Sequence, residues 1–317
     1  MDSQYVNKFF GELIYCSDWV PEWELAERLG VGREEVKSIA QRLLDGGFPL
    51  EVESGSFYRL SLGDDLSKAS SYSSVLDSHI PFRVLYFEEC SSTQDVAAKL
   101  AGEGVGEGLV VVAEEQRVGR GRLGRSWVSF RGGLWLTIVL EPPSSRVVQV
   151  LSLGLGVAVA KTLRLLYSLD AKVKWPNDVQ VEGRKVSGIL VEASAGERFY
   201  VLAGIGVNAN NDLPDDLKES ADSLKRLLGR RVSRVQLLLA LLKEVDKVYS
   251  TLKRESSLRV VEEWKKFSST IGERVRVIGF DGEYTGLAVD VDEQGGLVVE
   301  TGGVRRVFYS GDVLHLR

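Results

Sequence analysis

Residues 119–127 read Gly-Arg-Gly-Arg-Leu-Gly-Arg-Ser-Trp, GRGRLGRSW in one-letter code, and they are the most informative stretch of the chain. The three glycines allow the backbone to turn tightly and to approach a ligand closely. The three interleaved arginines place fixed positive charge and fork-shaped hydrogen-bond donors on the same stretch. Because a glycine-rich segment of like charge is costly to order by itself, we expect a loop that closes over an anion.

The sequence on either side of this loop limits its interpretation. The letters also satisfy G-x-G-x-x-G, and the preceding residues 108–115 (GLVVVAEE) predict a strand. A dinucleotide-binding site also needs a helix directly after the glycines, so that the helix N-terminus faces the pyrophosphate. Here RSWVSFRGG leads into another strand-like run, GLWLTIVLE. This context disfavours a dinucleotide site, and a plain surface loop stays as the simpler alternative.

Length and composition exclude several classes of protein. A chain of 317 residues predicts two or three domains, and its 44% hydrophobic content supports a sizeable core. No apolar run of 18 or more residues is free of charge, and the N-terminus lacks the form of a signal peptide. Two cysteines and two distant histidines disfavour a disulfide framework, a zinc site or a histidine-based nucleophile triad. We therefore expect a cytoplasmic protein with no membrane span and no protein-held metal.

The patterning divides the chain into four parts. Residues 1–63 predict a winged helix-turn-helix, since two short apolar-periodic helices are separated by a glycine and followed by a two-stranded wing. Residues 64–79 are rich in serine and predict a linker. Residues 80–270 alternate strand-like and helical stretches, which indicates a mixed α/β domain. Residues 271–317 carry short alternating strands with Asp-Gly and Gly-Gly turns, which predict a small β-barrel.

Four further segments of the middle domain each have a functional and a simpler interpretation. Residues 91–94 (SSTQ) look like a helix N-cap, which by itself is the favoured explanation. Residues 174–178 (KWPND) interrupt a strand at a proline, and a mere surface turn would explain them. Lys185 is the first residue of the apolar run KVSGILVE, and a lysine in such a place more often extends to water than takes part in catalysis. Residues 204–208 (GIGVN) end a strand with two glycines, which suggests that backbone there faces a ligand.

The conjunction and order of these segments resemble one family, the biotin–protein ligases of the three-domain kind with an N-terminal winged helix. The pair GRGRLGRSW and KWPND is the most specific match, and RKVSGILVE, SSTQ, GIGVN and the terminal β domain also fit. The resemblance implies an α/β (α+β) protein. Its catalytic domain would have a mixed sheet like that of class II synthetases, and its C-terminal domain would be an SH3-like β-barrel. It also implies two reactions: biotin and ATP form biotinyl-5′-AMP, and biotin then passes to a lysine of a biotin carboxyl carrier domain.

The family's functional residues can be placed on matching positions of this chain. The catalytic positions are Lys185, Arg122 and Asp178. Asp178 lies seven residues before Lys185 across a predicted hairpin, so both can reach one site, where Asp178 would orient or deprotonate the acceptor amine. The biotin-contacting positions are Ser92, Thr93, Gln94, Gln116, Arg120, Gly121, Arg122 and Lys185. The positions on the ATP and adenylate side are Arg120, Arg122, Trp127, Lys174, Asn177 and Asn208, with Trp127 expected to cover the adenine and Mg²⁺ to lie on the phosphates.

Three other hypotheses stay open. A lipoate–protein ligase shares the implied fold, although such enzymes lack this arginine loop. A biotin-sensing DNA-binding repressor without significant ligase activity, or a bifunctional ligase and repressor, would use the N-terminal domain on operator DNA. Residues 1–65, however, carry six basic and thirteen acidic residues, a net charge of −7. Because DNA affinity rests on neutralising phosphates, this charge disfavours tight binding. A homodimer is also expected from the family, and no membrane partner is.

Overall fold

A computed structural model describes residues 3–16, 18–194, 198–254, 256–279 and 282–316. The described residues form three β-sheets of three, seven and five strands, and each sheet lies within one of the three predicted domains. The outermost residues of those predicted domains, 1 and 317, lie outside the described part of the chain.

The N-terminal domain is a winged helix-turn-helix. The turn between its second and third helices begins at Gly30, whose φ of 68° is left-handed and whose N–H bonds the carbonyls of Ala26 and Glu27. Glycine suits this position because it adopts that conformation without steric cost. The wing is an antiparallel pair of strands, with a short third strand beside it. The elements are α1 Ser3–Leu13, β1 Val20–Pro21, α2 Glu22–Leu29, α3 Arg33–Asp45, β2 Leu50–Glu53 and β3 Phe57–Leu60.

The serine-rich segment 64–79 is folded onto its neighbours. It contains a short helix, α4 Ala69–Ser73. The side chain of Leu66 is buried, with 1% of its surface exposed. The Asp64 carboxylate accepts hydrogen bonds from Arg234, at 2.5 Å, and from Arg231, at 2.9 Å. The serine content predicted a linker between two domains. In the structure, its few apolar residues and the Asp64 ion pairs bind this segment to the middle domain.

The middle domain contains a seven-stranded mixed sheet in the order β4-β5-β6-β10-β9-β8-β7. Strands β4 and β5 are parallel, and the other neighbours are antiparallel. This mixed sheet confirms the predicted fold class. The elements are β4 Arg83–Cys90, α5 Thr93–Gly102, β5 Leu109–Gln116, β6 Leu134–Leu140, α6 Val148–Tyr167, β7 Lys172–Lys174, β8 Asp178–Val181, β9 Arg184–Ala193, β10 Val201–Val207, α7 Leu224–Leu228, α8 Arg234–Arg254 and α9 Ser257–Phe267.

The two faces of this sheet are covered differently. Val110 and Val112 of β5 point into the main core, while Val111 between them packs with α5 on the other face. That alternation is the two-residue period of a strand. Leu202 of β10 lies on the α5 face, and the next residues on that face are Gly204 and Gly206. The face therefore loses its side-chain bulk just beyond α5, which leaves room for a cavity.

Helix α6 is the one helix among the described residues that is long and apolar enough to cross a membrane by length and composition. In the most apolar 18-residue window of this helix, 72% of the residues are buried inside the protein. It packs against α8, α9 and β9. Its apolar character is therefore that of a core helix of the middle domain.

The C-terminal domain is a five-stranded antiparallel sheet in the order β14-β13-β12-β11-β15, with β14 and β15 as its edge strands. It is attached to the middle domain through Trp175, whose indole N–H donates to the carbonyl of Gly295 at 3.0 Å. The ion pair between Lys265 and Asp290, at 2.9 Å, adds a second attachment. The strands are β11 Arg274–Gly279, β12 Gly282–Val291, β13 Leu297–Thr301, β14 Val304–Phe308 and β15 Asp312–His315.

Candidate active site

A cavity of about 360 Å³ opens on the α5 face of the middle sheet. Its walls come from the start of α5, the arginine loop, the β7–β8 turn, strands β9 and β10, and the C-terminal domain. Twelve of the predicted site residues line it: Ser92, Thr93, Gln94, Gln116, Arg120, Gly121, Arg122, Trp127, Lys174, Asn177, Asp178 and Lys185. Segments that are far apart in sequence thus meet in one place.

The start of α5 forms a polar wall whose side chains hold one another. The Ser92 hydroxyl accepts from the Gln94 backbone N–H at 3.2 Å, which is the predicted N-cap. The Gln116 side-chain oxygen accepts from both the N–H and the hydroxyl of Thr93, and its amide donates to Ser129. Gln116 therefore positions Thr93, in addition to lining the cavity.

Gln94 carries an acceptor that the protein leaves free. Its side-chain N–H donates to Glu192 at 2.9 Å, but its buried oxygen has no hydrogen-bond partner among the described residues. A buried acceptor without a partner is costly, so this oxygen fits a donor supplied by a ligand. Gly204 makes the arrangement possible, because a Cβ there would lie 3.1 Å from the Gln94 amide.

Trp127 lies flat on a floor of glycines. A Cβ on Gly206 would stand 2.7 Å from the Trp127 indole nitrogen, and a Cβ on Gly188 would stand 2.8 Å from its ring. The Lys185 ammonium lies 5.0 Å from the ring centroid, within cation–π range. The indole N–H is buried and lacks a partner in the described chain. Trp127 thus forms the base of the cavity, and its stacking on adenine stays a prediction.

The arginine loop is a tight turn followed by a strand. The Gly121 N–H donates to the Arg125 carbonyl at 2.7 Å, and Leu123 and Gly124 take positive φ angles of 56° and 73°. A single 3₁₀ turn over Arg122–Gly124 leads to the antiparallel strand β6. The helix that a dinucleotide-binding site requires is therefore not formed here.

The three loop arginines have different partners. Arg120 pairs with two carboxylates, Asp95 at 3.0 Å and Glu192 at 3.1 Å. Arg125 forms a two-pronged ion pair with Asp312 of the C-terminal domain. Arg122 instead donates to the neutral side-chain oxygen of Asn177 at 3.2 Å.

Arg122 also differs in exposure: it is half-buried in the cavity wall, whereas Arg120 and Arg125 are exposed. Burial lowers the pKa of its guanidinium, with Asp312 and Asp178 acting in the opposite direction through space. A guanidinium stays protonated at neutral pH even when burial lowers its pKa, because its ordinary pKa lies far above neutrality. This is the arrangement expected of a cation that waits for an anionic ligand.

Two lysines and one carboxylate complete the cationic side. The Lys185 ammonium lies 2.6 Å from Asp178 Oδ1, across the β8–β9 hairpin that the seven-residue spacing predicted. Lys174 pairs with Asp178 in the backbone register of β7 and β8, beside the turn that contains the cis Trp175–Pro176 bond. Burial lowers the pKa of Lys174, and the neighbouring Lys185 adds to this, against the attraction of Asp178.

Asn208 does not join the cavity wall. Its side-chain oxygen accepts from Asn211, and its backbone pairs with Val186 and Leu224. It is 4% exposed, so it supports the end of β10 from behind the site. The interpretation of GIGVN as ligand-facing backbone fits its glycines, which line the cavity, better than its asparagine.

One wall of the cavity was not predicted from the sequence. Ile278, Asp312, Val313 and Leu314 of the C-terminal domain also line the cavity. Nothing in their local pattern distinguishes them from other short β-strand residues. Within the described ranges, no three His, Cys, Asp or Glu side chains are arranged to hold a metal ion.

Comparisons with known proteins agree with this architecture. The model of the Biotin/lipoate A/B protein ligase family matches residues 86–210, and that of the Biotin protein ligase C terminal domain matches residues 270–316. A bifunctional ligase/repressor BirA of Bacillus subtilis is 30% identical over 311 residues, covering 94% of each chain. A biotin–[acetyl-CoA-carboxylase] ligase of Mycobacterium tuberculosis is 34% identical over 239 residues, covering 72% of this chain and 86% of its own.

A solved structure shows the same fold. The biotin protein ligase from Aquifex aeolicus, in complex with biotin and ATP, superposes with a TM-score of 0.67 and 32% sequence identity. The match covers 74% of this chain and 98% of that one. The cavity with its arginine loop, the domain matches and the full-length similarity together lead to one conclusion: the chain belongs to the biotin protein ligase family.

Proposed function

We propose that this protein is an ATP-dependent biotin–protein ligase that forms biotinyl-5′-AMP and transfers biotin to a lysine of a biotin carboxyl carrier domain. One observation carries the proposal: a buried neutral polar wall and a cationic wall face the same small cavity. A compact neutral ring system with an anionic tail fits such a cavity, and so does the phosphate that activates that tail.

The neutral wall suits the ureido ring of biotin. That ring offers two N–H donors and one carbonyl acceptor, and it needs fixed hydrogen-bond partners when buried. The free Gln94 oxygen would accept from it, while the Ser92 and Thr93 hydroxyls lie beside it in the same wall. Leu136 and Leu190 supply apolar surface for the thiophane ring and the valeryl chain.

The cationic wall suits the first half-reaction. The biotin carboxylate attacks the α-phosphorus of ATP, a new C–O–P anhydride bond forms, and pyrophosphate leaves with the electron pair of the broken P–O bond. Negative charge accumulates on the phosphorus oxygens, where Arg122, Lys174 and Lys185 provide fixed positive charge in a partly dry cavity. Holding the carboxylate against the α-phosphorus lowers the remaining barrier.

The same wall suits the second half-reaction. A neutral lysine amine of the carrier domain attacks the acyl carbon, an amide forms, and AMP leaves with the electrons of the anhydride bond. Asp178 lies at the cavity, where it can accept the proton that the amine loses. Its ion pair with Lys185 would place that lysine beside the acyl and phosphate oxygens.

Mg²⁺ fits this site as an ion carried by the nucleotide. Oxygen ligands are available from Asp178 and Asp312, but each already pairs with a cation of the protein, Lys185 and Arg125 respectively. An ion held mainly by phosphate oxygens and water needs few protein ligands and neutralises the charge of the triphosphate.

Biotin-dependent exchange of labelled pyrophosphate into ATP tests the first half-reaction directly. We expect exchange with biotin and background exchange with lipoate, because the Gln94 wall matches a ureido ring that lipoate lacks. Exchange with lipoate and not with biotin would move the assignment to the lipoate ligases. A Gln94→Leu variant, which removes the free acceptor, should lose biotin-dependent exchange at low biotin concentration.

A second function is biotin-dependent repression. It is favoured by the winged helix and by the similarity, over 94% of the chain, to a relative named as a bifunctional ligase/repressor. We propose that operator binding requires a homodimer loaded with the adenylate in the cytoplasm, since one N-terminal domain is too acidic to hold DNA by charge alone. Retardation of the DNA upstream of its own gene, with and without biotin and ATP, tests this.

A further inference from the structure

The loop that closes the cavity is tied to a different domain. Both guanidinium nitrogens of Arg125 engage both carboxylate oxygens of Asp312, which lie 187 positions apart in sequence. A two-pronged arginine–carboxylate pair fixes orientation as well as distance, and it is stronger than a single hydrogen bond. Asp312 opens β15 and itself lines the cavity.

Asp312 belongs to a domain that contacts the middle domain beside the cavity. The indole of Trp175, in the KWPND turn, donates to the carbonyl of Gly295, and the Trp175 backbone N–H donates to the hydroxyl of Thr270. The Gly311 backbone before Asp312 lies so close to Ile278 that a Cβ would stand 2.8 Å from the Ile278 carbonyl. A contact to Asp312 therefore attaches the loop to the C-terminal domain, which contacts the middle domain through Trp175 of the cavity wall.

The opposite end of the loop is anchored within the middle domain. Arg120 pairs with Asp95 of α5 and Glu192 of β9. Arg122 lies between these two anchors and faces the neutral Asn177 amide. The carboxylates thus occupy the outer two arginines, and the central arginine keeps its charge for a ligand.

We propose that Asp312 is a positioning residue of the C-terminal domain that latches the arginine loop through Arg125, so that Arg122 alone of the three is presented to the adenylate phosphate. The latch consists only of groups of this chain, Arg125 and Asp312, so its formation does not require a ligand. Its effect on adenylate retention rests on the proposed ligase function, while its effect on the loop itself does not.

Limited trypsin digestion of the ligand-free, full-length protein tests the latch without using activity. Trypsin cleaves after Arg120 and Arg122 only when the loop leaves its turn, and mass spectrometry identifies those two cuts. We expect Asp312→Asn to accelerate them about tenfold, since a charge-assisted pair is lost. Asp290→Asn is the matched control: it breaks another ion pair between the C-terminal and middle domains, with Lys265, and does not touch the loop.

Two results would overturn the proposal. One is cleavage of Asp312→Asn at the wild-type rate, and the other is equal acceleration in Asp290→Asn, which would indicate general loosening of the C-terminal domain. Charge reversal adds a test of pairing: Arg125→Asp and Asp312→Arg should each open the loop, and the double variant should restore protection. Failure of the double variant to restore it, with an unchanged melting temperature, would also contradict the latch.

Adenylate release provides the functional readout. With biotin and Mg-ATP as substrates, Asp312→Asn should release biotinyl-5′-AMP roughly tenfold faster than wild type, while Asp290→Asn should not. If neither the wild-type protein nor the two variants form any adenylate, the proposed function is wrong. The trypsin result then still decides whether the latch exists.

Discussion

The ammonium of Lys185 lies 2.6 Å from the Asp178 carboxylate, at the point where a hairpin returns to the cavity. The two side chains are 30% and 24% exposed, so the pair is partly shielded from solvent. This ion pair gives each residue a defined position through groups of the protein alone. It also weakens the simpler interpretation in which Lys185 extends freely to water, because its charge is directed to a site residue.

Replacing Lys185 should damage chemistry far more than folding. We expect Lys185→Ala to lower the adenylation rate about 10²–10³-fold, since fixed transition-state charge is lost. Loss of a partly exposed ion pair should cost about 1 kcal/mol or less of unfolding free energy. Single-turnover adenylation and thermal unfolding measure the two effects. Lys172→Ala on β7, two strands away in the same sheet, is the control, because this half-exposed lysine lies outside the cavity. A large drop in melting temperature with normal adenylation per folded molecule would contradict the assignment.

Replacing Arg122 should loosen the grip on the intermediate without abolishing its formation. In the proposed mechanism Arg122 holds the phosphate, and removal of one charge-assisted contact should cost ~1.5–3 kcal/mol of binding free energy. Arg122→Gly should therefore release free biotinyl-5′-AMP, which labels lysines of bystander proteins and is detected with streptavidin. Arg117→Gly, at an exposed arginine that pairs with Glu89 outside the cavity, should not leak. Tight retention in Arg122→Gly would show that another group holds the phosphate.

Adenylate affinity should fall at alkaline pH. Burial depresses the pKa of Lys174 in the free protein below its ordinary value of 10.5, and a bound phosphate favours the charged form. Binding therefore takes up a proton once the pH exceeds the depressed pKa, so affinity decreases as pH rises up to the pKa in the complex. The slope should approach about tenfold per pH unit. Calorimetry with wild type and Lys174→Arg, whose charge does not titrate in this range, separates this group from the others. Identical pH profiles would exclude Lys174.

The N-terminal domain should bind DNA weakly unless the protein is loaded with ligand. Lys37, one of the six basic residues of this domain, pairs with Glu34 at 2.8 Å, and Glu35 caps its own helix. Glu34→Lys should steepen the salt dependence of non-specific DNA binding by about one phosphate contact. Glu293→Lys, an equal charge change in the C-terminal domain, should have little effect. Nanomolar binding by the wild-type protein without biotin and ATP would contradict this prediction.

The residues that line the cavity were predicted from a family resemblance, and short motifs carried that resemblance. The proline in KWPND predicted an interrupted strand, and the seven residues from Asp178 to Lys185 predicted a hairpin that lets both side chains reach one site. Ser92 had to cap α5, since serine before a helical run satisfies the free backbone N–H groups. Each of these predictions depended on neighbours only a few positions away.

The features that could not be predicted depend on long-range packing. Arg125 and Asp312 are brought together by the packing of the C-terminal sheet on Trp175. The residues next to Asp312 in sequence carry no pattern that predicts this contact. Glycine is required at position 188 because the Trp127 ring, which belongs to the arginine loop, packs directly against it. Residues 64–79 are predicted as a linker from composition, but the contact of Asp64 with Arg234 of α8 joins positions 170 apart in sequence. Local composition does not encode such pairs.

The most direct test of the assignment as a biotin–protein ligase is the transfer of biotin to a carrier domain. The purified domain is incubated with this protein, biotin, ATP and Mg²⁺, and its intact mass is measured alongside samples that lack biotin, lack ATP or contain lipoate instead. We predict the addition of one biotinyl group that requires both biotin and ATP and disappears when the domain's target lysine is changed to arginine. No addition with biotin, together with addition of lipoyl when lipoate is supplied, would contradict the account.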